Sequence, residues 1–96
     1  MNALEIVKEN RRQILAVAAK HGAGNVRLFG SVLRGQEQAD SDIDLLVDMA
    51  PDHDLFDMVA LSRELEELLH RKADVVTSDE LSPVLRERIK KSAVEV

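Results

Sequence analysis

The chain has 96 residues, room for one domain and one core, since domains run to roughly 100–150 residues. Its 45% apolar and 32% charged residues exclude a disordered or fibrous chain, and the absence of Cys excludes disulfides, thiolate metal sites and cysteine nucleophiles, so a reducing compartment, the cytoplasm, is expected. The net charge of -5 comes from one segment: Gly35 to Ser62 holds eight carboxylates and no Lys or Arg, while the rest of the chain has a basic surplus.

Leu4, Val7, Ile14, Leu15 and Ala18 recur at helical spacing and predict one amphipathic helix, with an Asn2–Glu5 capping box at its start and Gly22 at its end. Val26 to Phe29 predicts a short strand that runs into a turn at Gly30, followed by a helical turn through Arg34. Ile43, Leu45 and Val47 then alternate with Asp42, Asp44, Leu46 and Asp48, which predicts a strand with one apolar and one largely acidic face. Leu55, Met58, Val59, Leu65, Leu68 and Leu69 return to the helical period, with Asp54 as the cap. Ala73 to Thr77 is a third strand, and Ser82-Pro83 opens a last helix carrying Leu85, Ile89 and Ala93. A small sheet covered by helices, an α/β (α+β) fold, is the expected architecture. No leader pattern precedes the first helix and no apolar run reaches membrane length, so neither a signal peptide nor a membrane span is expected. With two Phe and no Tyr or Trp, an acidic chain has no platform for stacking bases, and no direct contact with nucleic acid is expected.

Asp42 and Asp44, two apart on a strand, leave the same face and bring like charges together. Such a pair takes up a proton or binds a divalent cation, and oxygen donors of this kind suit Mg²⁺ or Mn²⁺. Asp74 is an acidic residue in an otherwise apolar strand. If that strand lies beside the one with Asp42 and Asp44, three carboxylates converge, enough to hold two metal ions that share a ligand. Gly30 and Ser31, directly after the first strand, would let a phosphate approach the backbone and offer N–H and hydroxyl donors to it.

Gly30-Ser31, ten residues, then Asp42-Ile43-Asp44, with Arg34-Gly35 between and Ser41 before, resembles the nucleotidyltransferase fold shared with DNA polymerase β. The resemblance is closest to the minimal nucleotidyltransferases of bacteria and archaea, and it extends to Lys72-Ala73-Asp74-Val75-Val76-Thr77. It covers nearly the whole chain, so residues 1–96 are expected to form a single nucleotidyltransferase domain. One departure is visible: many relatives have a basic residue and an alanine where this chain has Val32 and Leu33, which leaves Arg34 as the only cation of the loop. The resemblance implies that Asp42, Asp44 and Asp74 ligate two Mg²⁺ ions, that Asp74 also helps activate the attacking hydroxyl, and that Gly30, Ser31 and Arg34 hold the nucleotide phosphates. It implies in-line attack on the α-phosphorus of a nucleoside triphosphate, with pyrophosphate leaving. It further implies an antitoxin that transfers AMP from ATP to a tyrosine of a partner HEPN-type toxin.

Plainer readings apply to most other charges. Glu37, Asp48, Asp52, Asp54 and Asp57 are expected to be solvated, with Asp54 a helix cap, and His21, His53 and His70 to sit at helix ends or in loops. Arg86, Arg88, Lys90 and Lys91 are expected to form the wet face of the last helix. An EF-hand starting at Asp40 fails because Leu45 and Pro51 stand where Gly and Glu are needed, and a P-loop at Gly30–Gly35 fails because Gln36-Glu37 replaces Lys-Ser/Thr. Two rivals to protein adenylylation are a non-catalytic antitoxin that neutralises its partner by covering it and a transferase acting on a small molecule.

Overall fold

The structure, a computed structural model, describes residues 3–30 and 42–96. The chain runs α1 (Ala3–Glu9), α2 (Arg11–Lys20), β1 (Ala23–Phe29), β2 (Ile43–Met49), α3 (Leu55–Leu69), β3 (Ala73–Thr77), a 3₁₀ turn (Ser78–Glu80), α4 (Pro83–Ser92) and β4 (Val94–Glu95). The four strands form one sheet in the order β3-β2-β1-β4. β1 is antiparallel to β2 and β4, whereas β2 and β3 are parallel, so α3 is the crossover that a parallel pair requires.

The core lies on one side of the sheet. Ala3, Val7, Ile14 and Ala18 of α1 and α2 and Leu61, Leu65 and Leu69 of α3 pack against Val26, Leu28, Ile43, Leu45, Val47, Ala73 and Val75 of the strands. In β2 and β3 these positions are spaced by two, and the residues between them face the opposite side, which carries Asp44 and Asp74. Leu46 departs from the expected acidic face: it is fully buried yet lies outside that core, flanked in register by Arg27 and Val76. The second face therefore has an apolar centre and acidic ends.

The first helical segment is two helices rather than one. Asn10 leaves helical geometry at φ -100° and ψ 16°, and its Nδ2 donates to the Ile6 carbonyl at 2.8 Å alongside its own backbone N–H at 3.1 Å, so the helices meet at a residue whose side-chain amide shares a ladder carbonyl. The expected Asn2 cap and the turn through Arg34 lie outside the described residues. Gly22 closes α2 with φ +77°. Asp54 caps α3 as expected, accepting from the Phe56 and Asp57 N–H groups, and Asp57, expected to be merely solvated, accepts the Asp54 N–H in return.

Ser82 and Pro83 open α4 as expected, with Ser82 Oγ accepting the Leu85 N–H. Arg86, expected on the wet face, instead donates to the Ser78 and Leu81 carbonyls and ties α4 to the turn before it. His21 and His70 occupy helix C-caps, and His53 stands against Gly22 in the loop before α3. Among the described residues no helix is long and apolar enough to cross a membrane.

Candidate active site

The parallel register of β2 and β3 places Asp44 directly beside Asp74, and the antiparallel register of β1 and β2 places Phe29 on the other side of Asp44. Neighbouring strands lie about 4.8 Å apart, so the two carboxylates leave one face as close neighbours. Asp42 stands two residues before Asp44, at the entrance to β2, and is exposed; Asp44 is half-buried and Asp74 exposed. Asp74 is thus not inside a buried strand: β3 is an edge strand whose alternate residues, Ala73 and Val75, supply the apolar appearance.

Two features fix this end of the sheet. Helix α3 covers the open edge of β3, with Glu66 Oε2 accepting the Ala73 N–H at 3.1 Å and Ser62 Oγ donating to the Ala73 carbonyl at 3.3 Å. The backbone just before Asp74 is therefore held on both sides, as an edge strand needs. Gly30 ends β1 with φ +87°, and a Cβ built there would fall on Asp44 Oδ2 and lie 3.0 Å from its Cγ. The glycine is required both by its backbone conformation and by the carboxylate packed over it.

Ser31 and Arg34, the other two expected nucleotide ligands, lie outside the described residues. Among the described residues no group of three acidic or histidine side chains is gathered around a point that could hold a metal ion. What the strands provide is placement: three hard oxygen donors on one face at one end of the sheet, a donor set that suits Mg²⁺ or Mn²⁺ rather than a softer metal.

Farther along the same face is a polar cluster that sequence reasoning missed. Asp48 accepts from Asn25 Nδ2 at 2.9 Å, from Arg27 Nη2 at 3.2 Å and from Ser78 Oγ at 3.4 Å, joining β1, β2 and the segment after β3. Asn25 adopts φ +50°, a left-handed conformation that this amide tolerates. The available signal was Gly24-Asn25 in the first strand, a pair that marks a β-irregularity, and the register does shift between Gly24 and Arg27.

Asp48 is consequently held below the usual carboxylate range, chiefly by the Asn25 hydrogen bond, which outweighs the opposing effect of burial, with the Arg27 charge and the Ser78 and Arg27 hydrogen bonds adding to it. A carboxyl with a lowered folded pKa stabilises the fold above its unfolded pKa, and that contribution disappears as pH falls through the folded value. Asp48→Asn should therefore lower the melting temperature at pH 7 and have a diminishing effect below pH 4, a modest difference because the side chain is 52% exposed. Thermal melts of both proteins across that range check it. Glu64 is lowered in the same way by Lys20 and His21, on the surface between α2 and α3.

The family profile described as polymerase β, nucleotidyltransferase matches residues 12–96, which include both carboxylate strands and the turn at Gly30. The chain belongs to this nucleotidyltransferase family. A Methanocaldococcus jannaschii protein assigned as a protein adenylyltransferase, MJ0435, is 39% identical over 90 residues, 94% of this chain and 97% of its own. A solved structure assigned as a minimal nucleotidyltransferase is 41% identical, superposes with a TM-score of 0.88 and is covered to 97%, with all of this chain matched. A crystal structure of a toxin–antitoxin with AMP-PNP is 25% identical with a TM-score of 0.75, over 90% of this chain and 71% of that one. The nucleotidyltransferase fold of this chain is thus the mixed four-stranded sheet with three helices packed on one face, and the opposite face carries Asp44 and Asp74.

Proposed function

We propose that this chain transfers AMP from ATP to a hydroxyl of a separate protein, a tyrosine of a HEPN-type toxin, and so acts as an antitoxin in the cytoplasm. The observation that carries this reading is the pairing of Asp44 with Asp74 beside Gly30 at one end of the sheet. The name of the M. jannaschii relative and the AMP-PNP bound in the toxin–antitoxin structure support ATP as donor and a protein as acceptor.

The reaction forms a bond between the acceptor oxygen and the α-phosphorus and breaks the bond from that phosphorus to the bridging oxygen of the leaving pyrophosphate. Gly30, Ser31 and Arg34 would bind the phosphates, and Asp74 would orient the incoming hydroxyl and favour loss of its proton. Asp42, Asp44 and Asp74 are the residues that would hold two Mg²⁺ ions, or Mn²⁺ in their place, and the metal would offset the charge of the phosphates. In this reading the acceptor arrives on its own protein.

The test is incubation of the chain with α-labelled ATP, Mg²⁺ and the cognate toxin. Label should pass to the toxin with a mass gain of one AMP, and chelation of divalent ions should stop it. Neutralisation of the toxin without transferred label would replace this reading with that of a binding antitoxin.

A further inference from the structure

The ladder between β2 and β3 extends one residue beyond β3. The Ile43 N–H donates to the Lys72 carbonyl at 2.8 Å, and Ile43 and Asp44 are in register with Ala73 and Asp74. Side chains alternate along a strand, so Lys72, two before Asp74, leaves the carboxylate face, as Asp42 does two before Asp44. Lys72 and Asp42 thus form the next rung beside Asp44 and Asp74, a two-by-two set of three carboxylates and one ammonium at the end of the sheet.

Among the described residues, two other cations near this end already have partners. Arg71 already has a partner, and Arg27, one rung inward on the same face, is turned to Asp48 and the Asn25 carbonyl. Between Gly30 and Asp42 the sequence offers only Arg34. Lys72 is exposed and, among the described residues, takes part in no ion pair. Its compact charge, with three donors on a flexible four-carbon stem, suits phosphate oxygens that must be reached across a short gap.

We propose that Lys72 binds a phosphate oxygen of the nucleoside triphosphate, as a nucleotide-binding residue additional to the loop after β1. The assignment rests on the adenylyl-transfer reading above and deepens it: the chain grips the triphosphate from β3 as well as from β1. Lys72 then supplies positive charge to the nucleotide from the strand that also carries Asp74.

The experiment measures binding of Mg²⁺–ATP and of Mg²⁺–pyrophosphate to the full chain by calorimetry, with melts in the presence and absence of ligand and steady-state transfer to the toxin. Lys72→Ala should weaken binding of both ligands about 10- to 30-fold, as loss of a hydrogen bond to a charged group does, and raise KM for ATP more than it lowers kcat. Its ligand-free melting temperature should stay at the parent value, Lys72→Arg should restore most of the binding, and Lys91→Ala on α4 should change nothing. Unchanged ligand binding by Lys72→Ala overturns the proposal while leaving adenylyl transfer intact. A ligand-free melting temperature lowered equally in Lys72→Ala and Lys72→Arg overturns it in favour of a structural lysine. ATP binding that depends on Lys72 without transfer of AMP upholds the proposal and defeats the enzymatic reading instead; a parent chain that binds no ATP defeats both.

Discussion

Under the proposed adenylyl transfer, Asp44→Asn is expected to lower AMP transfer by about a thousandfold, the scale that follows when a charged group organising the reacting phosphates is lost. Asn has nearly the same shape, so the substitution removes charge and leaves volume. Asp44 is the half-buried member of the acidic set and stands at its centre, with Phe29 and Asp74 as cross-strand neighbours and Gly30 packed against its carboxylate. It is therefore the carboxylate whose position the fold determines most closely. The fold itself should survive, because like charges placed opposite each other on adjacent strands cost stability and the substitution relieves one such pair. Labelled transfer to the toxin measures the first effect and a thermal melt the second. Transfer within tenfold of the parent, from a protein of unchanged melting temperature, would remove Asp44 from the reaction.

Gly30→Ala is expected to harm both stability and activity. At φ +87° a side chain costs about 1–2 kcal/mol of backbone conformation. The new methyl would also occupy the space of the Asp44 carboxylate, which must turn away or push the β1 end outward. Displacement of a reacting group by about an ångström can lower a rate about a hundredfold, so the activity loss should exceed what the stability loss explains. For a chain of this size the conformational cost corresponds to a melting temperature lower by roughly 5–15 °C. Gly24→Ala is the matched control: a Cβ there meets nothing within 4 Å, and its backbone is not left-handed. Equal behaviour of the two variants in melts and transfer would show that the contact with Asp44 has no consequence.

The divisions between what could be read from the residues and what could not follow the range of the forces involved. The Asp54 cap, the Ser82-Pro83 start and the bounds of β3 were legible because each depends on a few consecutive residues and their backbone groups. The break at Asn10 was not, since the apolar spacing continues across it and only the backbone angles of that one residue, whose side chain shares the Ile6 carbonyl with its own N–H, depart from the helix. β4 was missed because two residues carry no period; they are a strand only because β1 offers an open edge, with the Val96 N–H donating to the Val26 carbonyl beyond it. Asp48 looked like one more solvated carboxylate, and only the folded chain brings Asn25, Arg27 and Ser78 to it.

The negative charge concentrated between Gly35 and Ser62 sorts itself by position in the fold. Asp54 and Asp57 complete a helix cap and Asp48 ties strands together, while Asp42 and Asp44 open β2 at the same end as Asp74. The residues alone determined most of the secondary elements, apart from the break at Asn10 and β4, together with the family resemblance and the identity of the acidic candidates, because periodicity, capping chemistry and motif spacing are written along the chain. Only the tertiary structure decided that β2 and β3 are parallel with Asp44 opposite Asp74, and that Lys72 stands on the next rung. Strand order and register arise from burying one apolar face against three helices at once, and a shift of one residue would exchange that face for the acidic one. No local stretch of sequence contains that constraint.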